Sequence, residues 1–147
     1  MLDIKKSTVI ILAVFFLLLD RFFKTLALIF HPNTILFGHI FRFNFVPNPY
    51  IAFSLPFSGV FLNLLILILI FWLFSQLIVS FKKNLFINNL GFLLIILGAA
   101  SNLYDRLRLG YVIDYFDLKY FTIFNLADSM IFMGVMTLLI FNTKQEN

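Results

Sequence analysis

The chain has 147 residues, of which 62% are hydrophobic and only 12% charged, with a mean hydropathy of +1.01. That is too apolar for a soluble domain of this length and places the chain in a membrane. The net charge of +4 is scattered along membrane edges rather than gathered on one basic face, so anionic headgroups are its counterpart and nucleic acid is not expected.

A transmembrane helix needs roughly 20 mostly apolar residues, and four windows meet that need: about 8–28, 60–79, 85–104 and 126–141. The whole of 1–147 therefore reads as a single membrane domain. The fold class expected is an α-helical integral membrane protein with four transmembrane helices and a small extracytoplasmic β-containing loop region. The first window lacks an Ala-x-Ala type cleavage site and is followed by three more, so it reads as a retained helix rather than a signal peptide. Within it Asp20 and Lys24 are four apart, the spacing of an internal ion pair, with the lysine snorkelling outward.

Residues 31–58 form a connector longer than a helix hairpin needs. Phe41, Phe43 and Phe45 alternate with Arg42 and Asn44, the period of a strand with one apolar face. Pro47-Asn48-Pro49 is expected to end that strand, and 51–55 to lead back to the bilayer. The edge of 41–45 is a candidate to pair with an extended peptide. His31 and His39 lack ligand spacing and read as loop or headgroup contacts. Ser58-Gly59 lacks the first glycine of a Gly-x-Ser-Gly serine-protease element, and no histidine lies in a later span.

The second and third windows hold no charge and are joined by a short basic loop with Lys82 and Lys83. With four spans both termini share a side with that loop, and Lys5, Lys6, Lys82, Lys83 and Lys144 then favour the cytoplasm. The many phenylalanines are assigned to lipid. The second connector, 105–125, lies on the same face as the first and carries Asp105, Arg106, Arg108, Asp114, Asp117 and Lys119 among aromatics. Chemistry is therefore expected at one surface, the outer one.

Acids in or beside hydrocarbon are costly, and each is by default a functional candidate. Asp114 and Asp128 bracket the end of the second connector, and two carboxylates brought together would share one proton and act as base and acid at once. Asp128 has a second reading, in which Asn125 is an N-cap and Asp128 the third helical residue. Asn102 and Asp105 share a helical face with Arg106 beside them, which as a plain structural feature is a polar helix end with an Asp–Arg pair. A small proton-coupled transporter or channel using Asp20, Asp105, Asp114 and Asp128 as a relay, and a non-catalytic assembly or lipid-binding factor, are the competing functional readings. Without cysteine there are no disulfides, thiolate metal sites or cysteine nucleophiles.

The series Asp20 to Lys24, Asn48 to Ser54, Gly98 to Arg106, Gly110 to Tyr115 and Phe124 to Asp128 resembles the lipoprotein signal peptidase (signal peptidase II) family of bacterial inner-membrane aspartyl proteases. The strings G-A-A-S-N-L-Y-D-R, G-Y-V-I-D-Y and F-N-L-A-D are its most specific parts. The resemblance implies that Asp114 and Asp128 are the catalytic dyad, with Asn48, Asn102, Asp105, Arg106 and Asn125 around it and Asp20 and Lys24 in support. It implies a diacylglyceryl-prolipoprotein substrate cut on the amino side of the lipobox cysteine, membrane lipids as partners, a monomer, and neither metal nor other cofactor. It implies a multi-pass protein of the bacterial inner membrane, termini cytoplasmic and active site near the outer face. Four positions depart from the family pattern: Tyr50 and Ser101 stand where glycines are usual, Leu97 replaces the first glycine of a pair, and Arg21 replaces a common glutamine. They bear on loop conformation and substrate fit.

Overall fold

The computed structural model describes residues 4–38, 40–50 and 59–142. The expectations for His39, 51–55, Ser58 and Lys144 lie outside the described residues. Four helices, α1 (Ile4–Phe30), α2 (Gly59–Lys82), α3 (Phe86–Leu109) and α4 (Leu126–Asn142), are joined to a four-stranded antiparallel sheet of β1 (Asn33–Phe37), β2 (Phe41–Asn48), β3 (Val112–Leu118) and β4 (Ile123–Phe124), in the order β1-β2-β3-β4. Because β1 and β2 follow α1 while β3 and β4 join α3 to α4, the sheet gathers where α1 and α3 end and α4 begins.

Two helices, α2 and α3, are long and apolar enough to cross a membrane, and α4 is apolar but shorter. The third runs well past its apolar window, so Asp105, Arg106 and Arg108 belong to its last turns and not to a connector. Hydropathy marks where apolar residues stop, whereas the helix continues to Gly110, whose φ of 83° forms a left-handed C-cap that returns its N–H to the Arg106 carbonyl.

Helices in lipid gain nothing from hydrophobic burial against each other and rely on close packing at small residues. Helix α4 meets α3 across Gly91, Gly98 and Gly134; a Cβ on Gly98 would lie 2.6 Å from the Ala127 carbonyl, and one on Gly134 2.6 Å from that of Gly91. By contrast α2 presents most of its surface outward, including Phe61, Ile68, Phe71 and Trp72.

The expected strand exists but is longer. Pro47 lies inside β2, opposite Ile113, rather than ending it. Beyond Asn44 the strand has no partner on its β1 side among the described residues, and proline is tolerated at such an edge. Residues 41–44 are flanked by β1 on one side and, with an irregularity after Phe43, by β3 on the other. No peptide can add at 41–44, so the edge-pairing expectation is withdrawn there. The phenylalanines divide: Phe15, Phe22, Phe61 and Phe71 are exposed, but Phe23, Phe43 and Phe116 surround the buried Tyr115, tying α1 to the underside of the sheet with Ala27 and Ile113. His31 meets the Phe45 ring edge-on at 4.4 Å.

Candidate active site

Strand alternation decides what β3 offers to each face. Ile113 and Tyr115 enter the aromatic core, which leaves Val112 and Asp114 on the opposite face, across from Asn48 and Val46. Asn48 donates from Nδ2 to Asp114 Oδ2 at 2.9 Å, while its Oδ1 accepts the Tyr50 N–H at 3.0 Å, closing a turn around Pro49. The Tyr50 carbonyl in turn accepts from Arg106 at 2.9 Å. A cavity of about 240 Å³ opens beside Asp114, bounded by Val46, Pro47, Asn48, Tyr50 and Ile123 among others.

At the start of α4 the cap expected from sequence is present. Asn125 Oδ1 accepts the Asp128 N–H at 2.8 Å, and Asp128 Oδ2 accepts the Asn125 N–H at 3.3 Å, a reciprocal box that satisfies two orphan donors of the helix. The same Asn125 donates from Nδ2 to Asp114 Oδ1 at 2.7 Å. Capping and joining the two acids are therefore one arrangement, not alternatives.

Asn102 completes it. Its Nδ2 donates to Asp128 Oδ1 at 2.8 Å, and its Oδ1 accepts from Asn125 Nδ2 at 3.2 Å and from Lys24 Nζ at 2.7 Å. Each of the four carboxylate oxygens of Asp114 and Asp128 thus accepts one N–H and retains a lone pair. Burial, and next the neighbouring charge of Asp128, raise the Asp114 carboxyl to about 7, against the lowering effect of Asn48, Asn125 and Lys24.

Behind the acids lies a buried charge cluster. Lys24 is 0% exposed, so the expected snorkelling does not occur. Its ammonium is 2.8 Å from Asp105 and 3.3 Å from Asp20, because the polar ends of α1 and α3 offer it a complete set of acceptors inside the bundle. Asp105 pairs with Arg21 at 2.7 Å rather than with Arg106, which the spacing along one helix had suggested. Asp20 accepts from Ser101 at 2.6 Å, from the Tyr115 hydroxyl at 3.0 Å and from the Ala127 N–H at 3.0 Å. An acid on α1 therefore caps α4 alongside Asn125.

All nine expected site residues fall in this constellation. Three more were missed: Arg21 and Ser101, visible in the sequence only as departures from a pattern, and Tyr115, read as one aromatic among many. The Tyr115 hydroxyl donates to Asp20 and accepts the Leu126 N–H at 3.0 Å; burial, and next the Asp20 charge, push its phenol up and keep it protonated.

The fold and the site together define a helical membrane protein with two neighbouring acids, Asp114 buried and Asp128 half-buried, where a small sheet closes one end of its bundle. Residues 12–144 match the model of the signal peptidase (SPase) II family. The chain belongs to that family. A lipoprotein signal peptidase from Wigglesworthia glossinidia brevipalpis is 35% identical over 150 residues, spanning 95% of this chain and 94% of that one. One from Bartonella henselae is 44% identical over 105 residues, but the match spans 65% of this chain and only 62% of the relative. A bacterial membrane enzyme solved by the in meso method at 2.3 Å resolution has the same fold, with a TM-score of 0.81 over 96% of this chain and 90% of that one at 24% identity.

Proposed function

We propose that the chain is a membrane aspartyl endopeptidase that removes the signal peptide from diacylglyceryl-modified prolipoproteins on the amino side of the lipobox cysteine. The observation that carries this reading is that Asn125 bonds both acids, its side chain donating to the Asp114 carboxylate and its backbone N–H to the Asp128 carboxylate, beside an open cavity. Family membership supports the substrate class. It gives no support to a proton relay or an assembly factor.

In the mechanism, one proton is shared by the two carboxyls. The ionised member takes a proton from water as the water oxygen bonds to the scissile carbonyl carbon, and the protonated member gives its proton to the carbonyl oxygen. The resulting diol collapses as the C–N bond breaks, the second carboxylate taking back a proton from one diol hydroxyl while the first carboxyl gives its proton to the departing amine nitrogen. Asn48, Asn102 and Asn125 hold the carboxylates through N–H donors whose direction their other partners fix, so little reorganisation is needed.

In this reading α1, α2, α3 and α4 all cross the bacterial inner membrane, with both termini cytoplasmic and the sheet and acid pair at the outer face. Lys82, the last residue of α2, and Lys83, which follows it, support that orientation. The signal peptide unwinds near the interface to reach the acids, since a helical peptide bond inside the bilayer has its polar groups satisfied. The protein acts as a monomer without metal or other cofactor.

The test is cleavage of a synthetic prolipoprotein in liposomes, offered with and without prior diacylglyceryl transfer and followed by gel mobility. Cleavage of the lipidated form alone is expected. Failure of well-folded protein to cut either form would sink the reading.

A further inference from the structure

Asp20 and Asp105 are both 0% exposed, and two buried carboxylates need two positive charges. Lys24 is one. Its three protons are spent on Asp105, Asp20 and Asn102, so it lies between both acids and the asparagine that holds Asp128. The second charge is Arg21, which donates to Asp105 Oδ1 at 2.7 Å and to Ser101 at its hydroxyl (3.1 Å) and carbonyl (3.3 Å). The guanidinium lies 4.9 Å from the Tyr104 ring centre. Ser101 Oγ in turn donates to Asp20 Oδ2 at 2.6 Å. The departures from the family pattern at Arg21 and Ser101 are therefore one feature, an arginine and the hydroxyl that tethers it.

We infer that Arg21, held by Ser101, is a positioning residue that sets the charge behind the Asp114–Asp128 pair. With Arg21 the quartet Asp20, Asp105, Lys24 and Arg21 sums to zero. Without it a net negative charge stands behind Lys24 and Asn102 and opposes ionisation of the pair. The other charged or titratable groups around this region are Arg106 and Arg108, with Tyr104, on α3, and Tyr115 on β3. Among the described residues none replaces Arg21 at Asp105, whose ion-pair partners are Arg21 and Lys24.

This inference rests on the proposed peptidase reading, and its test separates the two. The pH–rate profile for the lipidated prolipoprotein is measured for wild type, Arg21→Gln, Arg21→Lys and Ser101→Ala. Arg21→Gln is expected to move the profile upward by about half a pH unit, the effect of one charge acting across several ångströms of partly polar protein. Arg21→Lys restores it, and Ser101→Ala lowers the rate with the profile in place. The double variant Arg21→Gln/Ser101→Gly carries residues the family accommodates at both positions and is expected to fold and show the same upward shift. A profile that stays in place in the Arg21→Gln or double variant, whatever its rate, overturns the inference. If wild type itself does not cut, the peptidase reading fails, and the pH dependence of the unfolding midpoint, which needs no substrate, still decides the role of Arg21: it shifts upward in the double variant or the inference is wrong.

Discussion

Lys24 Nζ lies 2.7 Å from Asn102 Oδ1, and because an ammonium only donates, that contact fixes which end of the Asn102 amide faces Asp128. The backbone N–H of Asp128 fixes Asn125 in the same way, and that of Tyr50 fixes Asn48. Three amides are thus turned so that their NH2 groups face the two carboxylates. A lysine on α1 thereby orders a site it does not enter.

Replacing Lys24 with methionine should therefore do more than remove one contact. It leaves Asp20 and Asp105 with one cation between them and frees the Asn102 amide to turn. Removing one partner of a buried charge set costs roughly 3–5 kcal/mol, so Lys24→Met should lower the unfolding midpoint sharply in a detergent melt. Lys83→Met, in the exposed turn between α2 and α3, should leave it within about 0.5 kcal/mol.

Asp114→Asn and Asp128→Asn should each reduce cleavage of lipidated substrate at least about a thousandfold, the scale of lost acid and base catalysis. Both should insert and remain folded, as judged by size exclusion and melting. Near-normal turnover by either purified variant would remove that residue from the dyad.

In the proposed mechanism the proton held by a carboxyl raised to about 7 sets the basic limb of the activity profile. The rate should fall about tenfold per pH unit once pH is well above 7. The stability sign follows. Between pH 4 and 7 the folded form holds a proton that the unfolded chain has released, so Asp114 contributes stability at low pH that is lost as pH rises through about 7. Melting midpoints should decline over that window in wild type, and Asp114→Asn should lack this part of the decline.

Asn125→Ala removes the cap of α4 and the link between the acids at once. Loss of a cap costs about 1 kcal/mol, whereas misplacing the carboxylates should cost roughly a hundredfold in rate. The comparison to make is kcat against melting midpoint, since the rate should suffer far more than the midpoint predicts.

Gly98→Ala places a methyl 2.6 Å from the Ala127 carbonyl, where backbone and not a flexible side chain must yield. Displacing α4 should cost about 1–3 kcal/mol and lengthen the contact from Asn102 to Asp128. Gly110→Ala meets open space but forces alanine to a φ of 83°, at a cost of about 1–2 kcal/mol, and should spare kcat. The pair of variants, assayed together, separates close packing at the site from turn geometry.

Much was legible in the sequence because it was local. Helical stretches follow from runs of apolar residues, the strand at Phe41 from alternation, and the cap at Asn125 from two residues three apart. The acids stood out because charge amid so much hydrocarbon is costly, and the motifs around Asp114 and Asp128 supplied their family. What only the tertiary structure decided is how those residues share protons and charge. Arg21 reaches across to α3, Lys24 turns inward, and Asp20 caps a helix more than a hundred residues further along. No periodicity records such contacts, because each depends on how closely glycines let two helices approach and on which buried donor remains to be satisfied.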